Sequence, residues 1–551
     1  MTTPINPDGR SKVGDGPCRE DGRPGPCAEA PSLNSWFYLK RLWRTETTVF
    51  VGIWLVLLLV GRSQFFADPG ALWHIVVGER MLSSGELIRT DPFSCTFGGA
   101  RWIPQSWLPE CGLAVLHRLG GLDAVLLATV TLIAGLYTWV THRLLRAGLH
   151  PLLAVLVTVL AMAASSYQFH PRPLLITLAL LGWTFARLCD FEAGRIPLRG
   201  LFWLVPVFVL WTNCHAGVLA GMGTVAVAVA GWIAAKLVGW ETPLVRYHQL
   251  IPLVGLVVAC CLTALVNPYG LQLPRVWFSL VGSPVLPRLM QEHAPLLASW
   301  PEAGIVLAFG LVYAAALVGV LPKQLRVAWL VPLVWFGLTV TSIRHGPLFA
   351  VTAALALGDM FPHIRWVAWL ARRGNTTFRL RPPEEASPKG WDFGPALVPL
   401  ALVLTAAVLQ LTAVPFPVLG RGWARPDPRS SPVELLPELR ADAAGRPGGM
   451  PIFNDMLFGG FLIYFTPDLR VFIDDRCELY GDRWLEQFAD AQEHHPERIE
   501  LWADEYGFDR ALVLPGSGFD RYLSDADGWA LVRRTPEAVL YRRGAKSPSG
   551  Q

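Results

Sequence analysis

Charged residues are scarce in this sequence, and their scarcity excludes most classes of soluble protein. Asp, Glu, Lys and Arg make up 16% of the 551 residues, whereas hydrophobic residues make up 52%. An ordinary soluble domain carries about 25% charged residues. Together with a mean hydropathy of +0.38, this composition indicates a protein with many membrane-spanning segments. The net charge of +4 gives no basis for binding nucleic acid, so no nucleic-acid partner is predicted.

Several other patterns are missing, and each absence removes a class of function. The nine cysteines are scattered without paired spacing, so neither a disulfide framework nor a zinc motif is predicted. No glycine pattern of the dinucleotide-binding or P-loop type opens a helix after a strand, so no nucleotide is predicted. The first 35 residues lack the basic, apolar and small-residue order of a signal peptide. They are polar and rich in Gly and Pro, which predicts a disordered cytoplasmic tail over residues 1–39.

Long apolar stretches are abundant. A membrane-spanning helix needs roughly 20 mostly apolar residues, and eleven segments are candidates. Basic residues cluster at alternate ends of these segments, which predicts a cytoplasmic N-terminus and an extracytoplasmic C-terminal part. The predicted fold class is therefore mainly α, a polytopic transmembrane helical bundle over residues 40–414. The predicted helices are residues 47–63, 121–141, 151–167, 173–189, 200–213, 216–236, 249–266, 303–320, 326–342, 345–361 and 394–414.

The stretch between the first two apolar segments is unusually polar. Residues 64–110 place carboxylates and a histidine among tryptophans, which favour the membrane interface. We predict that this large first outer loop carries the chemistry, and that residues 103–119 lie in the interface as a helix. Asp68 in FADPG either caps the following helix or serves as a general base. Asp91 in RTDPFS either closes an Asp-Pro turn or contacts an acceptor.

Further polar residues are predicted to gather at the same face of the membrane. Each lies in an outer turn or connection between predicted helices. Ionisable groups at membrane depth are costly and tend to be functional. Any single one is explained by capping a helix or by reaching to the interface, but their occurrence on one face predicts a shared site. They are Gln168, His170, Arg172, Asn213, His215, Asn267, Glu292, His293, Arg344 and His345.

The C-terminal part has a different composition. Residues 415–430 are rich in Pro and Arg and predict a linker. Over residues 431–551, short strand-like segments alternate with helical ones, which predicts a small extracytoplasmic α/β domain. In VFIDDRCELYG, Asp474 and Asp475 follow a predicted strand, where α/β sheets often bind ligands. We expect a structural turn at this strand end, with ligand binding as the alternative.

This arrangement resembles the GT-C superfamily of integral membrane glycosyltransferases, which includes protein O-mannosyltransferases, aminoarabinose transferases and oligosaccharyltransferases. The resemblance covers most of residues 40–550. It lies in the architecture of one helix, a large outer loop with an acidic residue just past that helix, many more helices and an outer soluble domain. In local sequence it rests on Asp68 in FADPG and on WIPQSWLPE. The sequence also shares the patterns DP…WH…G, DPFS, W.N.H and NP.G with a set of bacterial membrane proteins.

The resemblance implies transfer of a sugar from a polyprenyl-phosphate donor to a glycan, lipid or protein acceptor. The site would lie on the outer face of a bacterial-type inner membrane. Asp68 would be the general base, Glu110 the second candidate acid or base, and Arg172 and Arg344 phosphate clamps. Salt bridges to Asp68, Glu110 or Glu292 are the alternative role for these arginines. The other residues predicted to bind substrate are His74, Asp91, His170, Asn213, His215 and His345.

No cofactor is implied, and a divalent metal ion is not expected. Metal-dependent members place an acidic motif in the second outer loop, whereas this sequence offers Gln168 and His170 there. Two other functions are open alternatives. A transporter or lipid flippase would predict discontinuous helices and internal repeats near the bilayer midplane, and neither is found in the sequence. A non-catalytic envelope scaffold would predict that the substitution Asp68→Asn leaves function intact.

Overall fold

The computed structural model describes residues 43–244, 246–321, 323, 325–381, 394–444 and 449–544. The tail predicted over residues 1–39 lies outside these ranges. A helical part comes first and a smaller part built on a sheet follows it. The helices of the first part are α1 (Thr45–Gln64), α2 (Gly70–Ser84), α3 (Trp107–Arg146), α4 (Pro151–Ala163), α5 (Leu174–Glu192), α6 (Leu204–Thr212), α7 (Val218–Leu237), α8 (Leu250–Leu262), α9 (Gln272–Val281), α10 (Leu286–Leu289), α11 (Glu302–Val320), α12 (Val331–Thr341), α13 (Gly346–Met360), α14 (Arg365–Arg372) and α15 (Gly394–Leu411).

All eleven predicted spans coincide with helices, but not all are long enough to cross a bilayer. Within the described ranges, seven helices have the length and composition of a membrane span, and an eighth is counted if the pair Ile343–His363 and Arg365–Arg372, bent by 55°, is one span. Three predicted spans are shorter apolar helices, at Pro151–Ala163, Leu198–Thr212 and Val327–Thr341. The chain is thus an integral membrane protein of mainly helical fold, and the predicted number of eleven spans is not confirmed.

Local sequence explains where the first helices begin and bend. Pro69 precedes α2, a position where the missing N–H of proline is not needed. Gly85 ends α2 with a φ of 69°, a left-handed conformation that glycine adopts readily. The helix of the predicted interfacial segment 103–119 and that of the span 121–141 follow one another within the range Trp107–Arg146. They are two helices of the element α3, which meet at a kink at Gly121, where φ is 64° and ψ is −153°; the break falls at the predicted boundary.

The C-terminal part is a five-stranded mixed sheet with helices packed on it. The strand order is β2-β1-β3-β5-β4. Strand β1 is parallel to both β2 and β3, whereas β5 is antiparallel to β3 and β4. The predicted small α/β domain is therefore present in the structure. Its elements are α16 (Leu436–Ala443), β1 (Met450–Asn454), α17 (Gly459–Phe465), β2 (Leu469–Val471), α18 (Cys477–Glu493), α19 (Arg498–Tyr506), β3 (Arg510–Val513), α20 (Gly518–Asp525), β4 (Trp529–Arg534) and β5 (Val539–Arg543).

The first outer loop covers the β2 edge of this sheet. Cys95 N–H donates to Val471 O at 2.9 Å, and Val471 N–H donates to Phe93 O at 3.1 Å. Arg470 Nη1 donates to Pro92 O at 2.8 Å. An uncovered edge would leave the backbone groups of β2 without partners. The first outer loop and the C-terminal sheet part, which we call the soluble part, are therefore joined along the β2 edge.

The connection between the two parts is also held in place. Gly422 N–H and Ala424 N–H donate to the Asp123 carboxylate on α3, at 2.8 and 2.7 Å. Arg425 N–H donates to Arg62 O at the end of α1, at 2.9 Å. The predicted Pro- and Arg-rich linker is therefore bound to the end of α1 and to α3 just past its kink at Gly121.

Candidate functional site

Three carboxylates from distant parts of the chain converge on one guanidinium, and we call Asp68, Arg172, Glu292 and Asp475 the Arg172 cluster. Asp68 lies just past α1, and its two oxygens pair with Arg172 Nε and Nη2. Arg172 Nη2 also donates to Asp475 Oδ2 at 3.0 Å, and Nη1 donates to Glu292 Oε2 at 3.3 Å. A planar guanidinium can bind a carboxylate through two parallel hydrogen bonds. Here it must serve three carboxylates at once.

The glycine of FADPG makes this convergence possible. Gly70 is the first residue of α2. A Cβ at this position would lie 2.5 Å from Arg172 Nη2 and 2.8 Å from Asp475 Oδ2. Non-bonded heavy atoms do not approach this closely, so any side chain at residue 70 would displace the cluster. In the Asp-Pro-Gly sequence, Asp68 therefore supplies a carboxylate and Pro69 precedes the helix. Gly70 leaves the space that Arg172 and Asp475 occupy.

Asp475 enters the cluster from the soluble part. It lies in the segment after β2, and Trp73 Nε1 on α2 donates to Asp475 Oδ1 at 2.7 Å. Burial raises the pKa of Asp475 to about 7, with Arg172 opposing the rise and Asp68 adding to it. A carboxyl group with a pKa near neutral pH is suited to accepting and releasing a proton.

The next residue in the chain anchors the soluble part to the first outer loop. The Arg476 side chain has no exposed surface, and it pairs with Asp474 Oδ2 and Asp91 Oδ1, each at 2.6 Å. Its guanidinium carbon lies 4.6 Å from the centre of the Trp102 ring, within the range of a cation–π contact. Glu478 accepts a hydrogen bond from Trp102 Nε1 at 3.0 Å. These contacts fix the position of Asp475 relative to α2.

A buried histidine and glutamate lie beside the cluster. His74 Nδ1 is 2.8 Å from Glu110 Oε1, and the His74 ring lies 3.8 Å, centre to centre, from Trp73. Burial, together with the charge of Arg172, holds the pKa of His74 well below its ordinary value, so the imidazole is neutral. The second oxygen of Glu110 is buried, and no described residue gives it a hydrogen bond. The pair that we predicted as separate site residues is thus one unit.

Arg344 lies on the other side of Glu292. Its Nη1 is 2.6 Å from His293 Nε2, and His293 is 3.7 Å from the Glu292 carboxylate. Burial and the charge of Arg344 lower the pKa of His293, so its neutral ring can accept the arginine N–H. Among the described residues, Arg344 has no ion-pair partner within 4.0 Å. It stands two residues before α13, at a helix N-terminus where backbone N–H groups favour anions.

His345, the next predicted residue, forms a backbone contact. Its Nδ1 lies 3.2 Å from Leu338 O on α12, and its ring lies 6.1 Å from the centre of Trp335. The contact with Leu338 ties the start of α13 to the end of α12.

His170 and Asn213 make contacts that hold turns together. His170 Nδ1 lies 3.3 Å from Phe65 O, just past α1. Asn213 Oδ1 accepts from Trp107 Nε1 at 3.1 Å, and its Nδ2 donates to Val266 O at 2.8 Å. His170 therefore connects its turn to the end of α1, and Asn213 connects its turn to Trp107 and Val266. Both contacts fit the alternative in which these residues only hold turns together.

His215 is buried at the turn between α6 and α7. Its Nδ1 accepts the Gly217 N–H at 3.0 Å and lies 3.0 Å from Thr177 Oγ1. Burial, with Arg344 adding to the effect, lowers the pKa of His215 to about 3. The ring is therefore neutral. Because Nδ1 accepts a backbone hydrogen bond, the proton of the neutral ring lies on Nε2.

The alternatives left open by the sequence are now separated for two carboxylates. Of the two alternatives for Asp68, capping of α2 by its side chain is not found. Pro69 occupies the cap position without a side-chain hydrogen bond, and the Asp68 carboxylate pairs with Arg172 instead. The turn predicted at Asp91 is present, since Phe93 N–H and Ser94 N–H donate to its carboxylate. The salt-bridge alternative for Arg172 also describes this structure. Roles in substrate binding stay predictions for all of these residues.

Two members of the Arg172 cluster have no individual role in the sequence-based prediction. For Asp475 the sequence favours a structural turn, although its position at a strand end also indicates a ligand site. Glu292 belongs to the polar residues that predict a shared site, but its own predicted contact is only a salt bridge to an arginine. Within the described ranges, no three His, Cys, Asp or Glu side chains are arranged to hold a metal ion. The cation at the centre of the cluster is Arg172.

Solved structures with the same fold include membrane glycosyltransferases. Archaeal oligosaccharyltransferase AglB from Archaeoglobus fulgidus, in complex with an inhibitory peptide and a dolichol-phosphate, matches with a TM-score of 0.50 and 12% identity. The match covers 87% of this chain and 70% of that chain. The chain has the GT-C fold. The fold-level resemblance predicted from the sequence is therefore confirmed.

A second match is to ArnT from Cupriavidus metallidurans bound to undecaprenyl phosphate. Its TM-score is 0.48 at 13% identity, over 94% of this chain and 100% of that chain. At the level of sequence, no family model and no curated protein matches the chain.

Proposed function

We propose that the protein is a membrane glycosyltransferase that moves a sugar from a polyprenyl-phosphate donor to an extracytoplasmic acceptor. The observation that supports this proposal most is the convergence of Asp68, Arg172 and Arg344 in one connected group of outer turns, linked through Glu292 and His293. The GT-C fold supports the same reaction class by analogy. AglB was solved with a dolichol-phosphate and ArnT with undecaprenyl phosphate.

The reaction needs a proton acceptor and a cation at defined places. Asp68 serves as general base and accepts the proton of the acceptor group as its oxygen attacks the anomeric carbon of the sugar. The bond from that carbon to the phosphate breaks, and the electron pair leaves with the phosphate. Arg344 and the N-terminus of α13 hold the phosphate, because Arg344 has hydrogen-bond donors that no carboxylate occupies. The buried His74–Glu110 unit is the second candidate for acid–base chemistry.

The role proposed for Arg172 changes from that expected on sequence. Its donors already serve three carboxylates, and a phosphate approaching it would meet their negative charge. Like charges in such a site repel strongly. Arg172 therefore orients Asp68 and Asp475, and Arg344 is the better seat for the phosphate.

The test is transfer of labelled sugar from polyprenyl-phosphate sugars by the purified full chain in lipid nanodiscs. We expect Asp68→Asn to lower kcat by about 10²–10⁴, which is the usual contribution of a general base. Arg344→Met should raise KM for the donor more than it lowers kcat. Glu79→Gln is the matched control, because Glu79 lies on α2 in an exposed pair with Arg118. Equal activity of wild type and Asp68→Asn would remove Asp68 from the mechanism.

A further inference from the structure

Two carboxylates of the Arg172 cluster accept hydrogen bonds from the same nitrogen atom, which has two N–H groups. Arg172 Nη2 contacts Asp68 Oδ1 and also Asp475 Oδ2. The two residues are 407 positions apart in sequence, one just past α1 and the other in the soluble part. Asp475 is held from its other side by Trp73 Nε1 at 2.7 Å. Its position between these two donors is therefore fixed from both directions.

The charges around Asp475 leave the cluster with surplus negative charge. Within the part of the chain that the structure describes, Arg172 is the one cation paired with Asp475, and it also serves Asp68 and Glu292. Asp474 adds a further negative charge beside Asp475, and the Cys477 thiol also lies close enough to interact. Arg172, Arg344 and His293 keep the pKa of Glu292 low despite its burial. A proton that enters the cluster is thus directed to Asp475, whose pKa burial raises to about 7.

The soluble part is closely packed against the start of α2, where two glycines of α17 leave no space for a side chain. A Cβ at Gly460 would lie 2.0 Å from Pro69 O, next to Asp68. A Cβ at Gly459 would lie 2.4 Å from Asp474 Cβ. The backbone of α17 therefore contacts the start of α2 directly, and the buried Arg476 fixes the other side of the segment. Such close approach preorganises the two carboxylates.

We propose that the base of the glycosyl transfer is the Asp68–Asp475 pair, which holds one proton between its two carboxylates and takes half of its groups from the soluble part. The proposal rests on the proposed function and deepens it. The acceptor oxygen forms a bond to the anomeric carbon, the bond from that carbon to the phosphate oxygen breaks, and the electron pair leaves with the phosphate. The acceptor's proton goes to the pair and is released to water after the product departs.

The pair can be tested without turnover. A carbodiimide reacts with protonated carboxyl groups, and mass spectrometry of the full chain locates the adduct over a pH series. In the wild type, Asp475 should be half-labelled at about pH 7. Asp68→Asn removes a like charge and frees Arg172, so the midpoint for Asp475 should fall by about one pH unit or more. Asp527→Asn, an exposed substitution on the soluble part, should leave the midpoint unchanged.

Two results would overturn the pair. One is an Asp475 midpoint that is the same in wild type and Asp68→Asn, and the other is an absence of Asp475 labelling near neutral pH. If Asp68→Asn does not fold, Asp475→Asn gives the reciprocal measurement, because Asn still accepts the Trp73 hydrogen bond. In that variant the extent of Asp68 labelling at pH 7 changes if the two groups share a proton, and an unchanged extent contradicts the pair.

Turnover gives a second and independent readout. If both carboxylates act as one base, the double variant D68N/D475N should lose no more of kcat than the more impaired single variant, since groups that act as a unit are strongly non-additive. Losses that multiply would show that the two residues act separately. If the wild type transfers no sugar from any polyprenyl-phosphate donor, the proposed function fails while the labelling experiment still decides whether the carboxylates are coupled.

Discussion

The described residues also form a second, partly buried charge network, and it differs from the Arg172 cluster in its ratio of carboxylates to arginines. At the other ends of the helices, Asp190 on α5 pairs with Arg143 and Arg195. Asp359 on α13 pairs with Arg195 and Arg326. Two carboxylates there meet three arginines, whereas three carboxylates meet one arginine in the Arg172 cluster.

The difference indicates what each network is for. In the second network each carboxylate is held by two arginines, and polar networks whose members are paired in this way rigidify the helices that carry them. Basic side chains at that end also agree with the positive-inside rule. A network with surplus negative charge lowers the stability of the folded state, and carboxyl groups with perturbed pKa values are typical of functional sites. The comparison therefore separates a structural network from a candidate site.

The largest expected effect comes from removing the shared cation of each network. Arg172→Met would leave three carboxylates without their arginine and should cost about 3–5 kcal/mol of stability. Arg195→Met should cost about 1 kcal/mol or less, because Asp190 keeps Arg143, Asp359 keeps Arg326, and Arg195 is half exposed. Thermal unfolding of the full chain in detergent, followed by tryptophan fluorescence, measures both. Equal losses would mean that the two networks do not differ in the way described.

An intermediate effect is expected in the pH dependence of stability. Burial raises the pKa of Asp475 to about 7 in the folded chain, against about 3.9 when unfolded. The folded state then binds the proton more tightly, so this contribution is complete below about pH 4 and is lost as the pH rises through 7. Unfolding midpoints of wild type should fall over this range, and Asp475→Asn should reduce the slope.

A second group contributes with the same sign and gives the control for this measurement. Burial also raises the pKa of Asp455, which follows β1, to about 7, opposed by the hydrogen bond from Leu514 N–H. Asp455→Asn should therefore remove another part of the slope without affecting the Arg172 cluster. A slope that neither substitution changes would show that other groups set the pH dependence.

The smallest expected effect concerns the space beside the cluster. Gly70→Ala would place a methyl group 2.5 Å from Arg172 Nη2, and overpacking of this kind costs about 1–3 kcal/mol. Gly112→Ala on α3 is the matched control, because a Cβ there meets no heavy atom within 4 Å. In a helix, alanine is more favourable than glycine by about 1 kcal/mol, so this substitution should not destabilise the chain. Unfolding midpoints and transfer activity should fall for Gly70→Ala alone. A neutral Gly70→Ala variant would contradict the close packing of the cluster.

Much of the fold follows from patterns that are local in sequence. Apolar runs located all eleven helical segments, and alternation after residue 431 indicated the strands of the soluble part. The same patterns did not predict that three segments are too short to span a bilayer, because hydrophobicity alone does not show where a helix ends. They also separated residues 103–119 from the next span, and the structure has a kink with non-helical dihedrals at Gly121 between these two helices.

The site was only partly predictable. Asp68, Arg172 and Arg344 are recognisable because charges between apolar runs are rare. The partners of these side chains cannot be recognised from the sequence. The sequence predicts that Arg172 binds a phosphate, whereas in the structure its donors face three carboxylates. Asp475 was missed because nothing in VFIDDRCELYG distinguishes a turn from a residue that reaches another part of the molecule.

By itself the sequence determined a membrane-embedded helical bundle, a small α/β part after it and a row of polar turns on one side. These features depend on composition and periodicity over about 20 residues, and burial of apolar groups acts on that scale. Only the tertiary structure decided that Asp68 and Asp475 share one arginine. Such a contact joins residues hundreds of positions apart, and it is set by the packing of the soluble part on α2, which no local pattern encodes.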